Sequence, residues 1–194
     1  MTILKNVLVN EFMRRQQTLD ERSRLLATIA FCAAPTIAAG KPATLISFTG
    51  WNRNLLQAWD RYREELRGLL PLNYFELKRT TDRALVLFYR QDRLQECIRE
   101  KGSAGFLREY GYDETDFRVA LHRLRSRTEK ALPHEVGIFL GFPAEDVEGY
   151  IKNKGKNYLL QRYWKVYHKP KRALRLFAAY DRTKLQMLSL LNNV

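Results

Sequence analysis

The sequence predicts an α+β fold, in which a small and mostly antiparallel sheet is surrounded by amphipathic helices. Apolar residues recur at helical spacing over several stretches, and two neighbouring segments alternate like the arms of a hairpin. Hydrophobic residues make up 45% of the 194 residues and charged residues 28%, values typical of a globular protein with a sizeable core. We therefore expect a single domain over residues 1–194.

The first part of the chain is predicted to form two helices and a strand. Apolar residues follow helical spacing over residues 3–12 and again over 25–33. Pro35 is expected to end the second helix, because proline removes a backbone donor and clashes with the preceding turn. Small residues and two prolines make 35–42 a tight loop, and residues 43–49 are expected to be a strand.

The middle of the chain is predicted to hold a helix, a hairpin and further helices. Aromatic and aliphatic residues over 51–69 recur every three or four positions, which is typical of an amphipathic helix. Residues 74–79 and 84–89 read as an antiparallel hairpin. The second arm is apolar on both faces, which indicates a central strand. Helical spacing then resumes over 92–101 and 117–124.

Residues 133–167 form the stretch with the most specific pattern. Within it, residues 135–151 resemble a helix-turn-helix, with a glycine at the turn and apolar residues in the second helix. That second helix opens with three carboxylates, Glu145, Asp146 and Glu148, which DNA phosphates would repel. Acidic residues in a first turn also complement the helix dipole. We therefore favour a compact helical hairpin and leave contact with DNA as the alternative.

A basic loop follows this hairpin and is a candidate anion site. The segment Lys152 to Lys156 carries three lysines around Gly155, which is expected to end the helix in a left-handed conformation. Exposed backbone N–H groups and ammonium groups there can hold a phosphate or carboxylate, as backbone nests do. The candidate residues are Lys152, Lys154, Gly155 and Lys156. The alternative, which we favour, is a plain solvated helix end.

Residues 158–167 alternate like a strand and interleave aromatic rings with cations. Arg162 and Lys165 are further candidate anion-binding residues, and Tyr163 and Tyr167 are a candidate aromatic platform. Single-stranded nucleic acids bind to surfaces of this kind, since bases stack on rings and cations neutralise phosphates. The simpler interpretation is a half-buried sheet whose tyrosines cover a helix.

The charge of the chain is strongly unbalanced. It has 34 Lys and Arg against 21 Asp and Glu, for a net charge of +13. From residue 151 onward there is one carboxylate, Asp181, beside a closing helix predicted to start at Pro170. The cations of this section are Lys152, Lys154, Lys156, Arg162, Lys165, Lys169, Lys171, Arg172, Arg175, Arg182 and Lys184. Such an excess favours an anionic partner, either nucleic acid or a phosphorylated ligand.

Candidate catalytic groups are sparse. Lys41 follows Gly40 in the small-residue loop, and its ammonium can meet an anion there. Thr36 of that loop, with His134 and Glu135, forms a candidate polar site, His134 being the base and Glu135 its orienting carboxylate. The metalloprotease, hydrolase, dinucleotide and P-loop motifs are absent from the sequence. We assign no catalytic residue and no cofactor.

The cysteines and the hydrophobic pattern bear on compartment and cofactors. Cys32 and Cys97 are far apart and form no CxxC pair, so neither a disulfide framework nor a cysteine-based metal site is expected. No uncharged apolar run is long enough to span a bilayer, and the first residues lack a signal-peptide core. We therefore expect a cytoplasmic protein without a membrane partner.

Three segments resemble a known family. They are CAAPTIAAGKPATLISF (32–48), ALVLFYR (84–90) and the run PHEVGIFLGFPAEDVEGYIKNKGKN…YWKVY (133–167). Together they are similar to the bacterial domain-of-unknown-function family 3793 over nearly the whole chain. That resemblance implies no assigned activity and no catalytic residues. Family members often carry cysteines between NKGKN and WKVY, but residues 158–163 contain none here, so the resemblance implies no thiol-dependent role at this place.

Three functions remain open on the sequence. The favoured hypothesis is a non-catalytic binding protein whose basic C-terminal section engages an anionic partner. The second is an enzyme of unknown reaction that uses the loop from Thr36 to Lys41 with His134 and Glu135. The third is a structural or oligomeric role in which the tyrosine-rich strand forms an interface.

Overall fold

The computed structural model describes residues 2–50, 54–112 and 116–193, without the side chains of residues 2–6 and 8. Its helices are α1 (Thr2–Thr18), α2 (Glu21–Ala38), α3 (Leu55–Tyr62), α4 (Gln91–Arg99), α5 (Lys101–Glu109), α6 (Phe117–Thr128), α7 (Val136–Phe139), α8 (Ala144–Lys152) and α9 (Pro170–Asn192). Its strands are β1 (Ala43–Thr49), β2 (Asn73–Arg79), β3 (Arg83–Tyr89), β4 (Leu160–Gln161) and β5 (Lys165–Val166). The predicted α+β class is confirmed.

The central sheet has three antiparallel strands in the order β1-β3-β2. The predicted hairpin is β2 and β3, and the strand that is apolar on both faces, β3, lies in the middle. Successive β3 side chains point to opposite sides of the sheet. Val86 and Phe88 belong to the core beneath α2 and α3, while Leu87 and Tyr89 belong to the core formed with α4 to α8.

One face of the sheet is covered by α2 and α3. Trp59 of α3 is fully buried and stacks on Phe48 of β1, with ring centroids 5.1 Å apart. Its indole N–H donates to Glu76 at 3.0 Å, which satisfies a polar group that would otherwise be buried without a partner. The helix predicted over 51–69 is shorter in the structure: α3 ends at Tyr62 and turns follow it. Trp51 lies outside the described residues.

The predicted end of the second helix and the predicted start of the loop after it are both wrong. Helix α2 continues through Pro35 to Ala38, so Thr36 lies on a helix and the loop shrinks to residues 39–42. The Pro35 carbonyl accepts hydrogen bonds from the N–H groups of Ala39 and Lys41, and these bonds keep the last turn closed although Pro35 has no N–H to donate. The interior position of Pro35 is therefore tolerated close to the helix end.

The predicted single strand over 158–167 is a small hairpin instead. Strands β4 and β5 pair antiparallel, and residues 162–164 turn between them. The turn buries the Trp164 indole against Phe177 of α9, with ring centroids 4.4 Å apart. This burial favours the turn over a continuous strand, because an indole is a large apolar group to remove from water.

Helix α9 lies against α1 and α2 and against the β4–β5 hairpin. Phe177 and Tyr180 of α9 are buried with Trp164 and Val166 in one cluster. The hairpin is consequently held between α8 and α9. In the described part of the chain, no helix is both long enough and apolar enough to cross a membrane.

Candidate functional site

The segment predicted to resemble a helix-turn-helix is a compact helical hairpin of α7 and α8. Helix α7 has only four residues, and Gly141 turns the chain with φ +81°. A Cβ at Gly141 would lie 2.5 Å from Pro42, so the turn needs glycine for space as well as for conformation. Helix α8 packs against β5, and the first-turn Asp146 is buried, so its N-terminus is not free to read base edges.

Asp146 joins α8 to the β4–β5 hairpin. Its carboxylate is 2% exposed and accepts three hydrogen bonds, from the Trp164 indole N–H at 2.8 Å and from the backbone N–H groups of Tyr167 at 2.7 Å and His168 at 2.8 Å. A buried carboxylate with several donors is well satisfied. The sequence pattern does not show these hydrogen bonds of Asp146, because its partners lie 18 to 22 positions away.

A cleft of about 420 Å³ opens between the α7–α8 hairpin and the β4–β5 hairpin. At its rim the rings of His134 and Tyr150 lie 5.2 Å apart, and both residues are exposed. Phe142 and Trp164, which stack with centroids 4.7 Å apart, form an apolar wall. A cleft of this size with apolar and aromatic lining is typical of ligand sites.

The polar lining of the cleft is cationic. Arg162 and Lys165 both line it, and Arg162 pairs with Asp181. The Lys165 ammonium donates to the Gly155 carbonyl at 2.8 Å and lies 5.7 Å from the Tyr150 ring centroid and 5.0 Å from that of Tyr158. The carboxylate that lines the cleft, Asp146, is already bonded to three N–H donors. An anionic ligand suits this lining better than a cationic one.

The structure agrees with the favoured interpretation of the Gly155 loop, a helix end, rather than with a backbone nest, and Gly155 has the predicted left-handed conformation with φ +72°. The N–H groups of residues 153–156 all donate to carbonyls of the preceding helix end, as a helix C-cap requires, and none is free for an anion. The groups of this loop that can contact an anion are its lysine ammonium groups. Lys152, Lys154 and Lys156, here called the basic loop, are exposed.

Four cations lie on one side of α9. At 100° per residue, Lys171, Arg172, Arg175 and Arg182 fall within about 100° of the helix circumference. All four are exposed, whereas Ala173, Phe177 and Tyr180 are buried on the other side of the helix. We call these four cations the α9 basic face.

The eleven cations of the last section divide into two groups. Arg162, Lys165 and Lys184 are engaged within the fold; the Lys184 ammonium lies 5.4 Å from the Phe31 ring centroid and 5.2 Å from that of Tyr163. The other eight are Lys169, the basic loop and the α9 basic face. Each of the eight is exposed and makes no ion pair with any carboxylate of residues 2–50, 54–112 and 116–193.

The two tyrosines predicted as a stacking platform are half-buried and packed against neighbouring elements. The Tyr163 hydroxyl donates to Asp181 at 2.9 Å, and burial together with this bond raises the pKa of Tyr163. Tyr167 covers Gly149 so closely that a Cβ there would lie 2.5 Å from its ring. The exposed rings beside the Lys165 ammonium are those of Tyr150 and Tyr158, neither of which belongs to the predicted platform.

The candidate polar site of Thr36, His134 and Glu135 is not assembled. Thr36 is fully buried, with its hydroxyl 2.8 Å from that of Thr44. Glu135 is 1% exposed and bonds to Arg127 and to the Tyr112 hydroxyl, which lie away from the cleft. His134 instead lines the cleft beside Tyr150. The predicted base and its carboxylate therefore point in different directions.

Lys41 is not presented to solvent as the sequence suggested. It is 7% exposed, and its ammonium donates to the Ala43 carbonyl. Burial and the nearby charge of Lys184 lower the pKa of Lys41 to about 7. Lys41 lines neither the cleft nor the two other cavities described beside α9 and β2.

The cysteines are half-buried thiols that form no disulfide. The Cys97 thiol donates to the Ile138 carbonyl at 3.2 Å, and burial raises its pKa to about 11. Such a thiol is a poor nucleophile at neutral pH. In the ranges that the structure describes, no group of three or more His, Cys, Asp or Glu side chains is placed to hold a metal ion.

Fold and site together define an α+β protein with an aromatic cleft beside a basic surface whose cations pair with no carboxylate in residues 2–50, 54–112 and 116–193. The comparisons with known proteins agree with the resemblance in the sequence. The chain belongs to the family described as "Protein of unknown function (DUF3793)", which matches residues 29–194. No curated protein and no solved structure matches the chain.

Proposed function

We propose that this protein is a non-catalytic binding protein whose basic C-terminal section engages single-stranded nucleic acid. The observation on which the proposal depends is the set of eight exposed cations that pair with no carboxylate of the described residues. Unpaired cations on a surface attract phosphates and release counterions on binding, which gives affinity without sequence preference. A phosphorylated small ligand shares this chemistry and is the alternative outcome of the test below.

The first half of the chain differs from the basic C-terminal section in its ion pairs. Several arginines of the first half are paired with carboxylates, as in Arg22–Glu65, Arg61–Glu21 and Arg79–Asp60. Exposed pairs of this kind stabilise a protein little, but they neutralise its surface. The excess charge is consequently concentrated where carboxylates are lacking, at the basic loop and α9.

The cleft and the basic loop are continuous, which favours a partner that carries both phosphates and rings. A Cβ at Gly155 would lie 3.1 Å from the Tyr150 ring, so the loop backbone touches the rim of the cleft. Lys165 connects the cleft with the basic loop, since it lines the cleft and donates to the Gly155 carbonyl. Aromatic rings next to a cationic track are what single-stranded nucleic acids bind.

The two other hypotheses have less support. The enzyme hypothesis needs the loop at Lys41 to share a site with His134 and Glu135, and none of the three described cavities is lined by both Lys41 and His134. The oligomer hypothesis needs an open tyrosine face, whereas Tyr163 is packed against Phe177 and Tyr180. We further propose a cytoplasmic location, supported by the two unpaired thiols.

The test is a fluorescence-anisotropy titration of a labelled single-stranded oligonucleotide. The triple variant Arg172→Gln, Arg175→Gln, Arg182→Gln removes three charges from the α9 basic face, and we expect it to weaken binding roughly tenfold or more. Arg99→Gln, Lys101→Gln, Lys130→Gln is the matched control, because these three residues are exposed and lie outside the C-terminal section. The control should bind like the wild type.

Three results would decide against the proposal. Equal weakening in both triple variants would mean that net charge alone, not this surface, attracts the strand. Absence of oligonucleotide binding by the wild type at low salt would exclude the proposed function. Binding of a nucleoside triphosphate without binding of the oligonucleotide would favour the phosphorylated ligand instead.

A further inference from the structure

We propose that the cleft receives one unstacked base of the bound strand and that the Tyr150 ring stacks on it. This inference rests on the proposed function and adds to it a specific base-binding site, which neither the family nor the charge pattern assigns. It treats the basic loop as the phosphate contact next to that base.

The position of Tyr150 is the first reason. Tyr150 is 36% exposed, at the rim of a cleft of about 420 Å³, and its ring is 5.2 Å from that of His134. The stacked Phe142 and Trp164 also line the cleft and make part of its wall apolar. A flat ring that enters the cleft therefore meets an exposed aromatic ring and an apolar wall, the kind of surface on which bases stack.

The distribution of charge is the second reason. The cationic groups on the cleft, Arg162 and Lys165, lie on the hairpin side, and Lys165 leads to the basic loop through the Gly155 carbonyl. The carboxylate of Asp146 is already bonded to three N–H donors, so it does not present a free charge to a ligand. A neutral ring in the cleft with an anionic group beside it matches this arrangement, and a nucleotide has both parts.

Polar groups that can meet a base edge are the third reason. The Gln161 side chain is exposed at the cleft, and neither it nor the Tyr150 hydroxyl is hydrogen-bonded to another described residue. Both can donate and accept, which suits the mixed donors and acceptors of a base. They supply contacts with little sequence preference, in keeping with a strand-binding surface.

The experiment compares an intact oligonucleotide with an abasic one of the same length, which has the same phosphates but no bases. We expect the wild type to bind the abasic strand roughly tenfold more weakly, the factor typical of one stacked base. Tyr150→Leu should abolish most of that difference. Tyr158→Leu is the matched control, because Tyr158 also lies over the Lys165 ammonium but does not line the cleft, and it should keep the difference.

The outcomes separate the inference from the proposed function. Equal binding of the two strands by the wild type, or equal effects of Tyr150→Leu and Tyr158→Leu, would overturn the base site and leave electrostatic strand binding intact. Failure of the wild type to bind either strand would overturn both. Circular dichroism of each variant verifies that a loss of binding is not a loss of fold.

Discussion

Lys41 illustrates at the scale of one residue what burial does to a cation. Its ammonium donates to the Ala43 carbonyl, and no carboxylate of the described residues pairs with it. Burial first, and the charge of Lys184 second, lower its pKa from 10.5 to about 7, while Cys97 acts weakly in the other direction. A buried amine of this kind destabilises the native state whenever it must be protonated.

Stability should therefore rise with pH just above neutrality. Between about pH 7 and pH 9 the unfolded chain holds the Lys41 proton and the folded chain does not, so the free energy of unfolding should increase by up to about 1.4 kcal/mol per pH unit. Above pH 9 the slope falls, because the Cys97 thiol ionises in the unfolded state but keeps its proton in the fold.

The measurement is urea unfolding at about pH 7 and about pH 8.5. Lys41→Met should be more stable than the wild type near pH 7 and should lose most of the slope. Lys101→Met, at an exposed position, should keep it. A slope that is the same in Lys41→Met and in the wild type would show that another group titrates.

For single residues, the sequence predicted the solvent exposure of the loop lysines better than it predicted contacts between side chains. The lysines of the basic loop could be predicted to face solvent, because they surround a glycine that ends a helix. Tyr150 and Tyr158 could not be predicted as the exposed rings, since five tyrosines lie between residues 150 and 180 and only packing decides which are covered. Thr36, Lys41 and Glu135 were misjudged for the opposite reason: polar side chains were assumed to be accessible, and all three are buried.

At the scale of elements, the close approach of α8 to the β4–β5 hairpin depends on the absence of a side chain at Gly149. Gly149 faces Tyr167, and a Cβ at Gly149 would lie 2.5 Å from the ring. Asp146, one turn earlier, bonds to Trp164, Tyr167 and His168. Close approach and hydrogen bonding together fix the hairpin that forms one wall of the cleft.

Gly149→Ala should consequently destabilise the protein by about 1–3 kcal/mol, the range for overpacking. Gly105→Ala is the matched control, because Gly105 also lies within a helix but has nothing within 4 Å of the added methyl group. It should stabilise the protein by up to about 1 kcal/mol through helix propensity. Thermal unfolding of both variants tests this, and a stabilised Gly149→Ala would contradict the close packing of α8 on Tyr167.

The three strands of the central sheet were predicted to within one residue of their ends, whereas the helix predicted over 51–69 ends at Tyr62. β3 is apolar on both faces, and this identified it as central. Residues 158–167 also alternate, but their turn consists of Arg162, Tyr163 and Trp164, without glycine, proline or asparagine to mark it. The turn forms because Trp164 and Tyr163 pack on α9, a long-range contact that local pattern does not show.

At the scale of the whole molecule, charge is distributed unevenly. The first half pairs several of its arginines with carboxylates, and the last quarter has one carboxylate for eleven cations. Eight of those cations are exposed and have no ion pair in the part of the chain that the structure describes. Composition alone predicted the excess, but only the fold shows which three cations, Arg162, Lys165 and Lys184, are engaged internally.

The most direct test of strand binding by the α9 basic face is the salt dependence of binding to a single-stranded oligonucleotide. It is measured for the wild type and the two triple variants. Each phosphate contact should contribute about −0.7 to the slope of log Kobs against log salt. Loss of Arg172, Arg175 and Arg182 should therefore make the slope shallower by about two. The triple variant of Arg99, Lys101 and Lys130 should keep the wild-type slope. Equal slopes in all three proteins would contradict the claim that the α9 basic face contacts the strand.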